Sequence, residues 1–103
     1  MFLKLVSINS KFSEALNNLG ATIYENYFSN GLKSESLHEA AEYLTKATEI
    51  NPCYAEAFEN LANIYFVLKE YQPAIKNFKS SLKFKPLSIN SFENLINSLK
   101  HEG

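Results

Sequence analysis

The feature that most constrains this 103-residue sequence is an internal repeat. Three segments align without gaps, and their starting points lie 42 and then 34 residues apart: residues 8–20, 50–62 and 84–96. Each segment has an Asn-Leu pair near its end and a large apolar residue three places before that leucine. Because units that recur at such a spacing bury their apolar faces against their neighbours, the repeat predicts a stack of similar units.

The repeating unit is predicted to be a pair of helices, since the sequence has only three glycines, three prolines and no alternating strand pattern. In the best-formed unit, a first helix is predicted over about residues 55–69, a turn near residues 69–71, and a second helix that ends before Pro86. Pro73 suits the first turn of that second helix, where its missing N–H is not needed. Apolar residues at spacings of three and four mark the packing face of the first helix: Phe58, Leu61, Ala62, Tyr65 and Leu68.

The second helix of this unit has a matching face, which carries Ala74, Ile75, Phe78, Ser81 and Leu82. The two faces together resemble the tetratricopeptide pattern W-x2-L-G-x2-Y, A-x3-F and P, at Phe58, Leu61, Ala62, Tyr65, Ala74, Phe78 and Pro86. Phe58 replaces the usual Trp, Ala62 the usual Gly, and Ser81 a usual Ala. The resemblance implies an all-α, right-handed helical-repeat solenoid of antiparallel helix hairpins, with about two tetratricopeptide units plus flanking half-units.

The chain is predicted to form a single domain, residues 1–103, in four segments. Residues 4–10 align with the end of a second helix, so residues 1–10 are expected to form a partial helix end and the chain to begin inside a repeat. Residues 11–54 form a repeat with an eight-residue insertion, residues 55–88 a regular repeat, and residues 89–103 a last helix.

The insertion, within residues 24–36, leaves two alternatives open. Either about one turn is added to each helix, with the hairpin at Asn30-Gly31, or Ser36 and Glu39 form a capping box that starts the second helix at Leu37. In both cases three aromatic residues lie on the extension, where they either pack the longer hairpin or protrude as a contact site: Tyr24, Tyr27 and Phe28.

The candidate binding surface follows from removing the packing faces from the first helix of each unit. The remaining positions are rich in amides and mildly acidic, and the candidate residues for peptide binding are Asn17, Asn18, Glu56, Asn60, Asn63, Asn90, Asn94 and Asn97. Asn18, Asn60 and Asn94 recur at one place in the repeat. Because an Asn side chain offers two donors and an acceptor, such a ladder can bond the backbone of an extended peptide in a concave groove.

This ladder resembles the asparagine row in the repeats of O-linked N-acetylglucosamine transferases and related long bacterial arrays. It does not resemble the basic clamp with which chaperone cofactors hold a C-terminal carboxylate, since no cation stands at the five clamp positions, which are Asn17, Ala21, Asn60, Asn90 and Asn94. A chaperone tail is therefore not the expected ligand.

Several function classes find no support in the sequence. Ten basic and eleven acidic residues leave a net charge of -1, without the positive field of nucleic-acid binders. Cys53 is the only cysteine, and neither His38 nor His101 has a second ligand at metal spacing. No phosphate loop or nucleophile motif occurs, and no apolar run is long enough to span a membrane. We therefore expect no enzyme activity, cofactor or metal, and a cytoplasmic location.

The leading functional hypothesis is a protein-interaction module that holds a peptide or partner surface in the Asn-rich groove. One alternative is the recruiting segment of a larger glycosyltransferase or sulfotransferase. Another is a small structural subunit of an assembly, with self-association or docking through its open repeat ends.

Overall fold

The computed structural model describes residues 2–31 and 33–102, with side chains from residue 11 onward. This part of the chain contains five α-helices and no strand: α1 (Phe2–Asn30), α2 (Ser34–Ile50), α3 (Ala55–Val67), α4 (Tyr71–Phe84) and α5 (Ile89–Glu102). Helix α1 packs on α2 and α3 packs on α4 as two hairpins, which α2 and α3 join, and α5 covers α4. The first helices α1, α3 and α5 are also neighbours in that order. The predicted all-α helical-repeat fold is confirmed.

The start of the chain differs from its prediction. Residues 1–10 were expected to end one helix before another began, but α1 continues without interruption from Phe2 to Asn30. The alignment explains the difference, because Pro52 and Pro86 follow α2 and α4, whereas Ser10 stands at the equivalent position. Proline ends a helix and serine does not, so nothing in the sequence interrupts α1 here. Met1 and Gly103 lie outside the described residues, and the division into repeat segments stays a prediction.

The insertion lengthens both helices of the first hairpin and leaves the turn unchanged. Helix α1 ends five residues beyond Glu25, the residue that aligns with the end of α3, and α2 has 17 residues against 14 in α4. Gly31 adopts a left-handed conformation with φ of 65°, which confirms the hairpin at Asn30-Gly31. The capping-box alternative is wrong, because α2 begins at Ser34 and already contains Ser36. Leu32 lies outside the described residues.

The core follows the two hairpins. The larger cluster joins α1, α2 and α3 through Leu16, Leu37, Ala40, Ala41, Leu44, Ala47, Ala57, Leu61 and Ile64. The smaller cluster joins α3 and α4 through Ala62, Ala74 and Phe78. Helix α3 is thus covered on two sides, which explains why Ala57 and Ile64 are fully buried although the predicted stripe omitted them. Phe58 and Tyr65, which were predicted to lie on the packing face of this helix, are only half-buried.

Candidate peptide-binding surface

The structure brings asparagines from the three first helices into contact. The Asn60 Nδ2 donates a hydrogen bond to Asn17 Oδ1 at 3.0 Å, which joins α3 to α1. The Asn94 Nδ2 donates to Asn63 Oδ1 at 3.2 Å, which joins α5 to α3. We call Asn17, Asn18, Asn60, Asn63, Asn90, Asn94 and Asn97 the asparagine row. Four of its members are joined in two pairs across neighbouring first helices, so the row runs across the repeats.

Asn17 does not have the position that its sequence predicted. It was placed among the groove-facing side chains, but it is 1% exposed. Helix α1 turns this residue toward α3, where Asn60 donates to its carbonyl oxygen. A buried amide costs free energy unless it is hydrogen-bonded, and Asn60 meets that requirement. Asn17 therefore supports Asn60 from beneath the surface and cannot itself be an open contact for a peptide.

The other predicted site residues are accessible. Asn18, Glu56, Asn90 and Asn97 are exposed, whereas Asn60, Asn63 and Asn94 are half-buried. The residues that recur at one repeat position do not bond to one another, because Asn60 bonds to Asn17 and not to Asn18. Each pair uses one amide N–H of its donor. By the usual inventory of the amide group, a second N–H and the carbonyl oxygen of Asn60 and Asn94 remain for a ligand or water.

Tyr54 adjoins this surface and was missed by the sequence reasoning. Burial raises the pKa of its hydroxyl above the usual value, the carboxylates of Glu56 and Glu14 raise it further, and a hydrogen bond with the Asn17 side chain acts in the opposite direction. The hydroxyl is therefore near both α1 and α3. Tyr54 stands directly before α3, but the aligned residue at the next junction is Ser88. Because the tyrosine is not repeated, only its position before α3 could have indicated that it adjoins the site.

The electrostatic character of the surface is acidic. Helix α3 contains Glu56 and Glu59 and no lysine or arginine. Glu14 on α1 and Glu93 on α5, the two first helices that contact α3, are exposed. Such a surface favours ligands that are neutral or basic and opposes those that carry several carboxylates.

The insertion places its aromatic residues in two environments. Tyr24 and Tyr27 pack against the larger core cluster, and burial raises the pKa of the Tyr24 hydroxyl. Phe28 contacts both rings edge-on, at centroid distances of 5.1 and 5.2 Å, and is itself 59% exposed. The extension therefore packs its own hairpin with two rings and presents the third to solvent.

The cysteine, the histidines and one surface concavity are separate from the asparagine row. Within residues 2–31 and 33–102, no group of three or more His, Cys, Asp or Glu side chains could hold a metal ion. Cys53 is exposed and unpaired, and the His101 ring stacks on Tyr71 at 5.4 Å. A concavity of about 490 Å³ between α2 and the α3–α4 turn contains none of the predicted site residues. No helix in the described part of the chain has the length and apolarity to cross a membrane.

Stacked helix hairpins, with no strand among the described residues, define the class of this chain as an all-α helical-repeat protein. The tetratricopeptide repeat family matches residues 55–86, so this unit is a tetratricopeptide repeat, and the resemblance predicted from the sequence is confirmed. No curated protein matches the sequence significantly.

The solved structures that are similar to the chain as a whole include the following two. The crystal structure of MamA protein superposes with a TM-score of 0.77 at 23% identity, and the match covers 97% of this chain and 50% of that chain. The chain therefore spans half the length of MamA. The first TPR of Spaghetti (RPAP3), bound to the HSP90 peptide SRMEEVD, superposes with a TM-score of 0.62 at 13% identity and covers 88% of this chain and 93% of its own. At these identities, the similarity establishes the fold.

Proposed function

We propose that the chain is a protein-interaction module that binds an extended peptide along the asparagine row. The observation that carries the proposal is the pair of inter-repeat amide bonds, Asn60 to Asn17 and Asn94 to Asn63. These bonds hold the amides in fixed orientations before a ligand arrives, which reduces the entropy lost on binding. Because amides can pair with the peptide backbone, such a row recognises an extended chain with little dependence on its side chains.

The charge of the surface narrows the ligand class. The RPAP3 domain with a similar fold is bound to SRMEEVD, a peptide with two adjacent glutamates. Here the first helices present Glu14, Glu56, Glu59 and Glu93. We therefore propose a neutral or basic peptide as the ligand, and SRMEEVD serves as a peptide that the chain should not bind.

The test selects nine-residue peptides from a random display library on the 103-residue chain and measures their affinity by fluorescence polarisation. The double substitution Asn18→Ala with Asn97→Ala should weaken binding about tenfold, because two exposed amides lose their contacts with the peptide. Asn26→Ala is the matched control, since Asn26 is exposed on α1 outside the row. Equal affinities of the double variant and the control would contradict binding along the row.

A further inference from the structure

Helix α5 carries an apolar stripe that no other described element covers. Four of its residues follow one another at spacings of three, four and three: Ile89, Phe92, Ile96 and Leu99, which are 71%, 57%, 38% and 48% exposed. The opposite side of α5 faces α4 through Ser91 and Ser98, which are fully buried. The stripe is distinct from the asparagines of α5, so it lies outside the surface proposed above for peptide binding.

The spacing of the stripe is that of a coiled-coil seam. Alternating steps of three and four place all four residues at the a and d positions of two heptads, with isoleucine at both a positions and Phe92 and Leu99 at the d positions. Such a seam is covered by a second helix with the same spacing, whose side chains fit between those of the first.

One position of the stripe differs from the hairpin contacts within the repeats. Phe92 and Leu99 align with Phe58 and Tyr65 of α3, which are also large apolar residues. Ile96 aligns with Gly20 of α1 and Ala62 of α3. At Gly20, an added Cβ would lie 2.6 Å from Leu44 Cγ and 3.1 Å from the Ala40 carbonyl oxygen. Ala62 is fully buried against α4. An isoleucine at this position is too large for the close approach that α2 and α4 make, so a helix that covers the stripe lies farther from α5 than α4 lies from α3.

We propose that the α5 stripe of a second copy of this chain covers it, in an antiparallel arrangement with two-fold symmetry. One two-fold axis places Ile89 opposite Leu99 of the other copy and Phe92 opposite Ile96, so that all four residues are paired at once. Glu93 and Lys100 occupy the same edge of the stripe, and the axis brings Glu93 of one copy toward Lys100 of the other. The net charge of -1 per chain adds little repulsion between copies.

Sedimentation equilibrium of the 103-residue chain tests the interface. The fraction of dimer should increase as the concentration of the chain increases. Ile96→Glu or Leu99→Glu should raise the dimer dissociation constant at least about tenfold, because each substitution buries an unpaired carboxylate in the interface. Both residues are exposed in the single chain, so the helical circular dichroism should be unchanged. Leu19→Glu is the matched control, since Leu19 is 44% exposed on α1, and it should leave the constant unchanged.

The geometry has its own test. Glu93→Lys should weaken the dimer, and the double variant Glu93→Lys with Lys100→Glu should restore it, because the exchange recreates the opposite charges across the axis. Failure of the double variant to restore dimerisation would overturn the antiparallel arrangement. A chain that stays monomeric at every concentration, or a dimer that Ile96→Glu and Leu99→Glu do not affect, would overturn the proposal. So would a monomer whose stripe binds an amphipathic helix of another protein.

Discussion

The two helix hairpins have the same close approach between their helices but achieve it with different side chains. In the first hairpin Gly20 faces Leu44, and in the second the aligned residues are Ala62 and Phe78. All four are buried, and an added methyl group at Gly20 would collide with Leu44. The comparison shows that the repeat preserves a close approach of two helices while the residues that achieve it change. The motif therefore describes a geometry, which several combinations of volumes can satisfy.

The junctions between hairpins differ in polarity. Between α2 and α3 the aligned positions hold Ala47 and Ala57, which are both fully buried. Between α4 and α5 they hold Ser81 and Ser91, whose hydroxyl oxygens are hydrogen-bonded at 3.0 Å in the buried interface. One junction is thus apolar, and the other contains a polar pair in which the loss of one hydroxyl would leave the other buried without its partner.

The largest expected effect comes from removing Phe78, the fully buried aromatic side chain of the smaller cluster. Phe78→Ala should lower the free energy of unfolding by about 3–5 kcal/mol, since Phe78 is fully buried. This is a large part of the roughly 5–15 kcal/mol that stabilises a domain. Urea unfolding followed by circular dichroism measures it, with Phe28→Ala, at a 59% exposed ring, as the control. A change below about 1 kcal/mol would show that α3 and α4 do not pack through Phe78.

A smaller effect is expected where the first hairpin is tightest. Gly20→Ala should destabilise the chain by about 1–3 kcal/mol, because the new methyl group would overlap Leu44 Cγ. In the Gly20→Ala background, Leu44→Ala should cost less than it does alone, since the alanine then removes the overlap. Thermal unfolding of the two single variants and the double variant measures this coupling. Strictly additive effects would contradict the close contact of Gly20 with Leu44.

The smallest effect concerns the polar junction. Ser81→Ala should destabilise the chain by about 1 kcal/mol, because the buried Ser91 hydroxyl loses its partner. The double variant Ser81→Ala with Ser91→Ala should recover most of that loss and make the second junction resemble the apolar first one. Chemical denaturation of both variants provides the comparison. A double variant less stable than Ser81→Ala would show that the junction does not tolerate the exchange.

The sequence predicted the features that depend on local spacing. The two hairpins follow from periodicity, and the turn at Asn30-Gly31, one of the two predicted alternatives, follows from the conformational freedom of glycine; the structure has both. The predicted break before residue 11 was wrong, since α1 continues through it. The prediction depended on the alignment of residues 4–10 with the end of α2, although the proline that follows α2 has no counterpart at Ser10.

The candidate site was less accessible to sequence reasoning. Periodicity indicates which face of a helix a residue occupies, but not how one helix is rotated against the next. Asn17 and Asn18 are adjacent, and only the packing of α1 on α3 decides that Asn17 is buried under Asn60. For the same reason, the pairing of Asn94 with Asn63 joins residues at different places in the repeat. Peptide binding by the row and a cytoplasmic location stay predictions.

The buried serine pair has a consequence for how the helices are ordered. Helices of similar sequence can exchange places during folding, within one chain or between copies. If α3 were to dock on α4 in the place of α5, Ala57 would stand opposite Ser81, whose hydroxyl would be buried without a partner. The serine pair thus makes the packing specific: it favours α5 over the other first helices as the neighbour of α4, and so favours the correct order of the stack.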